Sequence, residues 1–392
     1  MTPTDEISVP FVDLSWQHEP LQAQLLAAMQ RVATQGDYVL GGAVTEFERQ
    51  FAALCQADYG VGVGSGTDAL ALGLQACGIG LGDEVILPVN TFVATLIGIL
   101  RSGAKPVFVD CEPTTALMDL AAVEQVITPR TRAILPVHLY GQMVSPTGLQ
   151  ALARKHDLII FEDAAQAHGA EREGYRAGGV GLAAAFSFYP SKNLGAMGDG
   201  GMLVTSQALV AETMRSLRNY GATRKYFHTD PGGTNSRLDT LQAAILKTKL
   251  PFLAQWNCDR NRLARYYDEQ LQPLADYGLT PIVNQSGTGH VYHLYVIRLA
   301  ADCPVDRTVL QMELTSHNIQ SGIHYPLPCH LQPAFSHLGH QPGDFPIAEA
   351  LSQEILSLPM YPGLTEAKID RVIDLIKNFV ISQRSPFLDF IR

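Results

Sequence analysis

Cysteine is sparse in this 392-residue chain, and its six copies at 55, 77, 111, 258, 303 and 329 include no C-x-x-C pair. That scatter excludes a disulfide framework and suits reduced thiols in a cytoplasm. Charge is also scarce, at 17% of residues, and the 28 basic residues are outnumbered by 38 acidic ones with no basic run. Binding to nucleic acid or to an anionic membrane through a basic surface is therefore disfavoured. Long apolar runs are missing as well. The longest, residues 85–100, is interrupted by Pro88 and Asn90 and is too short to span a bilayer. Residues 1–10 are polar and acidic, without a basic segment leading into an apolar one, so no targeting segment is expected. There is no internal repeat and no low-complexity tract.

What is present is an alternation. Apolar, strand-like runs fall near 60–63, 84–87, 105–109, 132–137 and 157–161, with helical patterns at 91–101, 120–127 and 146–155 between them. Two more helical patterns, 20–34 and 44–56, come first, and two short strands, 183–188 and 202–205, follow. Strands separated by helices of this length form a mainly parallel sheet with helices on both faces. Beyond about residue 237 the pattern becomes a long helix interrupted by Pro251, a strand over 292–299, proline-rich turns and a last helix over 366–382. A chain longer than about 250–300 residues outgrows one core. Two domains are expected, 1–245 and 246–392, the second a smaller α+β unit.

Three motifs carry chemistry. In 187–195 (SFYPSKNLG), Lys192 follows the strand-like 183–188 among small residues that let a flat ligand approach the backbone. Lysine is charged and unreactive at its ordinary pKa of about 10.4. A recessed apolar site disfavours the ammonium and frees the amine to form a Schiff base with an aldehyde. Ser187, five residues upstream, is spaced to face the same cavity. In 158–169 (LIIFEDAAQAHG), a buried parallel strand leads to Asp163 at its carboxyl end, where open α/β sheets bind their ligands. A carboxylate there can pair with a protonated ring nitrogen, as pyridoxal phosphate requires, or it can cap a helix. Gln166 follows within reach of the ring's phenolic oxygen. In 59–70 (YGVGVGSGTDAL), a strand, a glycine-rich turn and a helix start form an anion site at Gly66. The glycines at 60, 62, 64 and 66 give no G-x-G-x-x-G register, which argues against a dinucleotide.

These motifs, with 9–14 (VPFVDL), 41–48 (GGAVTEFE), 88–95 (PVNTFVAT), 235–239 (NSRLD), 242–244 (QAA) and 324–326 (HYP), give the chain its resemblance to a known family. It resembles the DegT/DnrJ/EryC1/StrS nucleotide-sugar aminotransferases, pyridoxal 5'-phosphate enzymes of fold type I. The resemblance implies a seven-stranded, mainly parallel sheet and a homodimer with shared active sites. It implies Lys192 as the Schiff-base lysine and proton shuttle, Asp163 on the pyridine nitrogen and Gln166 on the phenolic oxygen. Gly66, Thr67 and Ser187 would hold the phosphate, Phe92 would lie on the ring face, and Asn235 would reach the phosphate of the neighbouring subunit. Arg237, His324 and Tyr325 are implied substrate contacts.

The implied reaction moves an amino group from an amino acid, glutamate, to a keto sugar nucleotide. The segment 220–228 (YGATRKYFH), with 233–239, resembles the branch that aminates C3; amination at C4 is the alternative. Dehydratases of the family carry histidine where this chain has Lys192, and a regulatory member would be expected to lose cofactor residues or add a DNA-binding module. His317, His324, His330, His337 and His340 cluster late in the chain. Their spacing matches neither H-E-x-x-H nor a Cys/His finger, so no metal is expected and turns lining a cleft are the better account.

Overall fold

The computed structural model describes residues 8–383. The expectations for residues 1–7 and for the last nine residues of the 246–392 segment lie outside the described residues. A seven-stranded sheet organises the first two thirds of the chain. Its strands are β1 (Tyr59–Val63), β2 (Glu84–Pro88), β3 (Lys105–Val109), β4 (Thr131–Ile134), β5 (Ile159–Asp163), β6 (Ala183–Ser187) and β7 (Gly201–Thr205). They lie in the order β1-β7-β6-β5-β4-β2-β3. The neighbours from β6 through β5, β4 and β2 to β3 are parallel, whereas β7 runs antiparallel to both β1 and β6. Strands buried on both faces read as continuous apolar runs, which is why β2 and β5 are plain in the sequence. Pro106 sits in β3, the edge strand, where a missing N–H is tolerated.

Helices α1 (Gln22–Gln35), α2 (Gly42–Leu54), α3 (Gly66–Ala76) and α4 (Val93–Ser102) precede or connect the early strands. Helix α1 stops at Gly36 and α4 at Gly103, each in the left-handed conformation that glycine adopts freely. Phe51 of α2 meets Phe186 and Phe188 edge-on, with ring centroids 4.9 and 5.1 Å away. That cluster backs the end of β6, where the lysine loop begins. Glu48 accepts hydrogen bonds from the Gly62 N–H and from the Arg218 guanidinium, which also donates to the Gly62 carbonyl. A buried ion pair satisfied in this way fixes the end of β1.

Helix α5 (Thr240–Lys249), a 3-10 turn at Leu250–Phe252 and helix α6 (Leu253–Leu271) account for the long helix interrupted at Pro251. A second, antiparallel sheet follows, of β8 (Leu279–Pro281), β9 (Tyr295–Leu299) and β10 (Ile355–Leu358), covered by α6 and by α7 (Glu366–Ser382). Its core holds Tyr267, Ile297, Leu310, Leu356 and Ile373. Leu246, Leu253, Val291 and Leu351 pack instead into the core of the first sheet. Strand bounds differ from the sequence reading by a few residues. The expected 157–161 strand ends at Asp163, so that carboxylate belongs to the strand and caps no helix, because 164–169 is a run of turns. The expected 132–137 strand closes at Ile134, with Val137 bridged singly to Asp163.

Candidate active site

At the carboxyl ends of the parallel strands lies a cavity of about 380 Å³. Its wall brings together nine of the residues singled out in the sequence: Gly66, Thr67, Phe92, Asp163, Gln166, Ser187, Lys192, His324 and Tyr325. Asn235 and Arg237 lie outside it. Asn235 is exposed and pairs with Asn219 as an isolated bridge, while Arg237 donates to the Asn219 side chain (3.0 Å) and sits over the Tyr220 ring.

One end of the cavity is built by α3. Ser65 caps the helix by accepting the Asp68 N–H at 3.1 Å, which leaves the Gly66 and Thr67 N–H groups at the helix start. A Cβ added to Gly66 would stand 2.7 Å from the Cβ of Ser187, and one added to Gly201 would stand 2.3 Å from the backbone of Ser65. Neither position has room for a side chain, so both glycines let β6, β7 and the helix start pack closely together. Asp68 is held by Arg101 (2.7 Å) and the Ser236 hydroxyl (2.8 Å), which ties α3 to the chain just before α5.

Asp163 ends β5. Its carboxylate accepts hydrogen bonds from the Thr95 hydroxyl (2.7 Å) and the Ala165 N–H (3.1 Å). Among the described residues it forms no ion pair with lysine or arginine. Burial pushes its pKa up, against the Thr95 and Ala165 hydrogen bonds and the nearby Lys192 charge. A buried carboxylate with this much uncompensated charge is suited to a cationic partner. Just before it, Glu162 accepts from the Gly178, Val180 and Gly181 N–H groups and pairs with His138, anchoring the strand end.

Lys192 sits in the loop between β6 and β7, its N–H donating to the Tyr189 carbonyl at 2.8 Å. Its side chain is partly buried and lines the cavity. Lost hydration lowers its pKa to about 8, while Asp163 pulls the other way. The buried Lys249 donates to the Gly195 carbonyl (2.6 Å) and steadies the far side of the loop. Gln166 is fixed at both ends: its carbonyl accepts the Tyr140 N–H at 2.6 Å and its amide donates to the Tyr325 hydroxyl at 3.1 Å. The NH₂ is thus the end left for an acceptor in the cavity. Phe92 is 52% exposed, an apolar ring on the cavity wall 5.4 Å from Tyr325. His324 shares a hydrogen bond with Ser357 (2.9 Å), and burial lowers its pKa to about 4.

The helix start, the glycine cradle, the unpaired-charge carboxylate and the lysine fit pyridoxal phosphate in donor type and in space. Sequence reading gave no part to Thr95, Tyr140, Asn193 or His293. Thr95 and Asn193 lay inside motifs already singled out; Tyr140 and His293 are brought in by folding, with no local pattern to mark them. Of the five late histidines, His330 pairs with Glu349 and His340 with Asp344, while His324 joins the cavity. Among the described residues no three His, Cys, Asp or Glu side chains gather to hold a metal. No described helix is long and apolar enough to cross a membrane.

Residues 20–377 match the model of the DegT/DnrJ/EryC1/StrS aminotransferase family. The erythromycin biosynthesis sensory transduction protein EryC1 of Saccharopolyspora erythraea is 47% identical, over 95% of this chain and 99% of that protein. The dTDP-3-amino-3,4,6-trideoxy-alpha-D-glucose transaminase of Streptomyces venezuelae is 45% identical, over 95% of this chain and 96% of its own. The crystal structure of S. venezuelae DesV in complex with a ketimine intermediate superposes with a TM-score of 0.90 at 45% identity, covering 95% of this chain and 98% of that one.

Proposed function

This chain belongs to the DegT/DnrJ/EryC1/StrS aminotransferase family, and from that premise we propose that it moves an amino group from L-glutamate to the keto sugar of a nucleotide sugar, at C3, with pyridoxal 5'-phosphate as cofactor. One observation carries the reading: Lys192, with its lowered pKa, and the buried, uncompensated Asp163 share one cavity with a helix start. Pyridoxal phosphate, when bound, supplies an electron sink for charge developing on the substrate carbon.

The chain's own groups do the rest. The Gly66 and Thr67 N–H groups and the Ser187 hydroxyl hold the phosphate. The Asp163 carboxylate holds the proton at the ring nitrogen, and the Gln166 NH₂ donates to the phenolic oxygen. Phe92 covers the ring face and helps to exclude water. Lys192 would hold the cofactor when it is bound, and its free amine, with a pKa of about 8, can hold or release a proton near neutral pH. Asn235 serves the phosphate of a partner subunit, a reading supported by its exposed position outside its own cavity. His324 and Tyr325 contact the substrate from the cavity wall, and Arg237 does so from outside it. A cytoplasmic setting suits the six free thiols.

C3 is favoured over C4 by residues 220–239 and by the 3-amino product in the name of the S. venezuelae relative. The name of the S. erythraea relative is that of a sensory transduction protein, but the set of cofactor-holding groups in this chain supports an enzyme. The test is incubation with glutamate and a panel of 3-keto and 4-keto nucleotide sugars, with the new amine located by NMR. A 3-amino sugar is expected. A 4-amino sugar formed with the higher kcat/KM overturns the position, and no amine from either set overturns the transfer.

A further inference from the structure

Asn193, next to Lys192, is 1% exposed and ends in a chain of hydrogen bonds whose directions can be worked out. Asn257 Nδ2 donates to the His168 carbonyl (2.9 Å), which can only accept, so Asn257 Oδ1 faces Asn193. Asn193 Nδ2 donates to that Oδ1 (2.9 Å) and to the Val291 carbonyl (2.8 Å), which again can only accept. Both amide orientations are thereby fixed by acceptor-only groups. Asn193 Oδ1 is left 3.2 Å from His293 Nδ1, so the proton of a neutral His293 must sit on Nδ1.

The groups facing His293 keep the ring neutral. It is buried beside Lys192 and Arg260, with the imidazoles of His168 and His324 nearby, and burial and those charges push its pKa well down. With Nδ1 protonated, Nε2 carries a bare lone pair. The ring forms part of the wall of the Lys192 cavity. The chain beside it is held by the Arg260 guanidinium, which donates to the Tyr292 and Met360 carbonyls, each at 3.0 Å.

We propose that His293 is a positioning residue for Lys192, held by Asn193 as the Nδ1–H tautomer so that its bare Nε2 is the acceptor it can offer the lysine amine across their shared cavity. It rests on the reading of Lys192 as the reactive lysine. Around Lys192 are Asp163, which favours its ammonium, and His168, His293 and His324, whose lowered pKa values leave them neutral; Asp199, Tyr189 and Tyr325 also line the cavity. A neutral acceptor steadies the ammonium more than the amine.

Neutron diffraction from full-length protein crystals at neutral pH should show deuterium on His293 Nδ1 and none on Nε2; deuterium on Nε2 overturns the proposal. A variant pair separates positioning from packing. In His293→Gln an amide oxygen can stand where Nε2 stood, and in His293→Asn an amide nitrogen can stand where Nδ1 stood. Borohydride trapping of pyridoxal phosphate on Lys192, followed against pH, should keep its midpoint in His293→Gln. In His293→Asn the midpoint should fall by about one unit, because the acceptor that favours the ammonium is lost. Equal midpoints in folded samples of both variants overturn the proposal. Failure to trap Lys192 in the unaltered chain would instead strike at the cofactor reading, and the deuterium positions would still decide the tautomer.

Discussion

Asp163 is a residue whose surroundings are incomplete without a cation. Two hydrogen bonds and a nearby lysine do not offset the cost of burying its charge, so its pKa is raised. A protonated ring nitrogen at contact distance would reverse that shift, and the two groups would each hold the other's charge. Asp163→Asn keeps the shape and removes the charge. Pairing of this kind moves a pKa by about 1–3 units, so the electrostatic loss alone should lower kcat by about tenfold to about a thousandfold. Loss of the electron sink should add to that, with cofactor still bound through its phosphate. Steady-state kinetics on cofactor-saturated variant is the check, and near-normal turnover would remove Asp163 from this role.

At the scale of elements, the site depends on how closely α3 approaches β6. Gly66→Ala would place a methyl 2.7 Å from the Ser187 Cβ, and the contact is with a strand that cannot yield far. Strain of about 1–3 kcal/mol is usual for such overpacking. At 1.4 kcal/mol per decade, affinity for pyridoxal phosphate should fall by about fivefold to about a hundredfold, read by absorbance titration; an unchanged Kd would contradict the cradle. This element was legible in the sequence because β1, the glycine turn and the apolar start of α3 are contiguous. The same holds for β5 and Asp163. The direction of β7 was not legible, since a strand's alternation says nothing of which way it runs. Short strands such as β8 and β10 were missed because three or four residues carry too little pattern to separate from turns. His293 escaped notice for a different reason: it is 101 positions from Lys192, and its meaning comes from Asn193 and Asn257, which share no local spacing with it.

For the whole molecule, the two cores interlock. We propose that the chain divides near residue 245, with residues such as Leu253 and Val291 joining the smaller part to the larger core. The cavity would sit where the two meet, since Lys192 and Asp163 come from one part and His293, His324 and Tyr325 from the other. The proposed homodimer would extend the same logic across a subunit boundary. Asn235 is exposed beside Tyr220 and the hairpin 222–228, whose Tyr226 is 84% exposed, as suits a segment that reaches a partner. Mixed Asn235→Ala and Lys192→Ala proteins, each weak or inactive alone, should regain part of the activity once subunits exchange. A fully active monomer, seen by sedimentation under assay conditions, would rule out a shared site.

The account rests most directly on Lys192, and borohydride trapping tests it. The protein is incubated with pyridoxal phosphate at a series of pH values, reduced, digested and mapped by mass spectrometry. The label should fall on Lys192. Because burial lowers the folded pKa to about 8, the amine loses its proton as pH rises through that value, so the trapped fraction should climb there. A label on another lysine, or on none, would contradict the account, as would a fraction on Lys192 that climbs only near the ordinary lysine pKa of about 10.4.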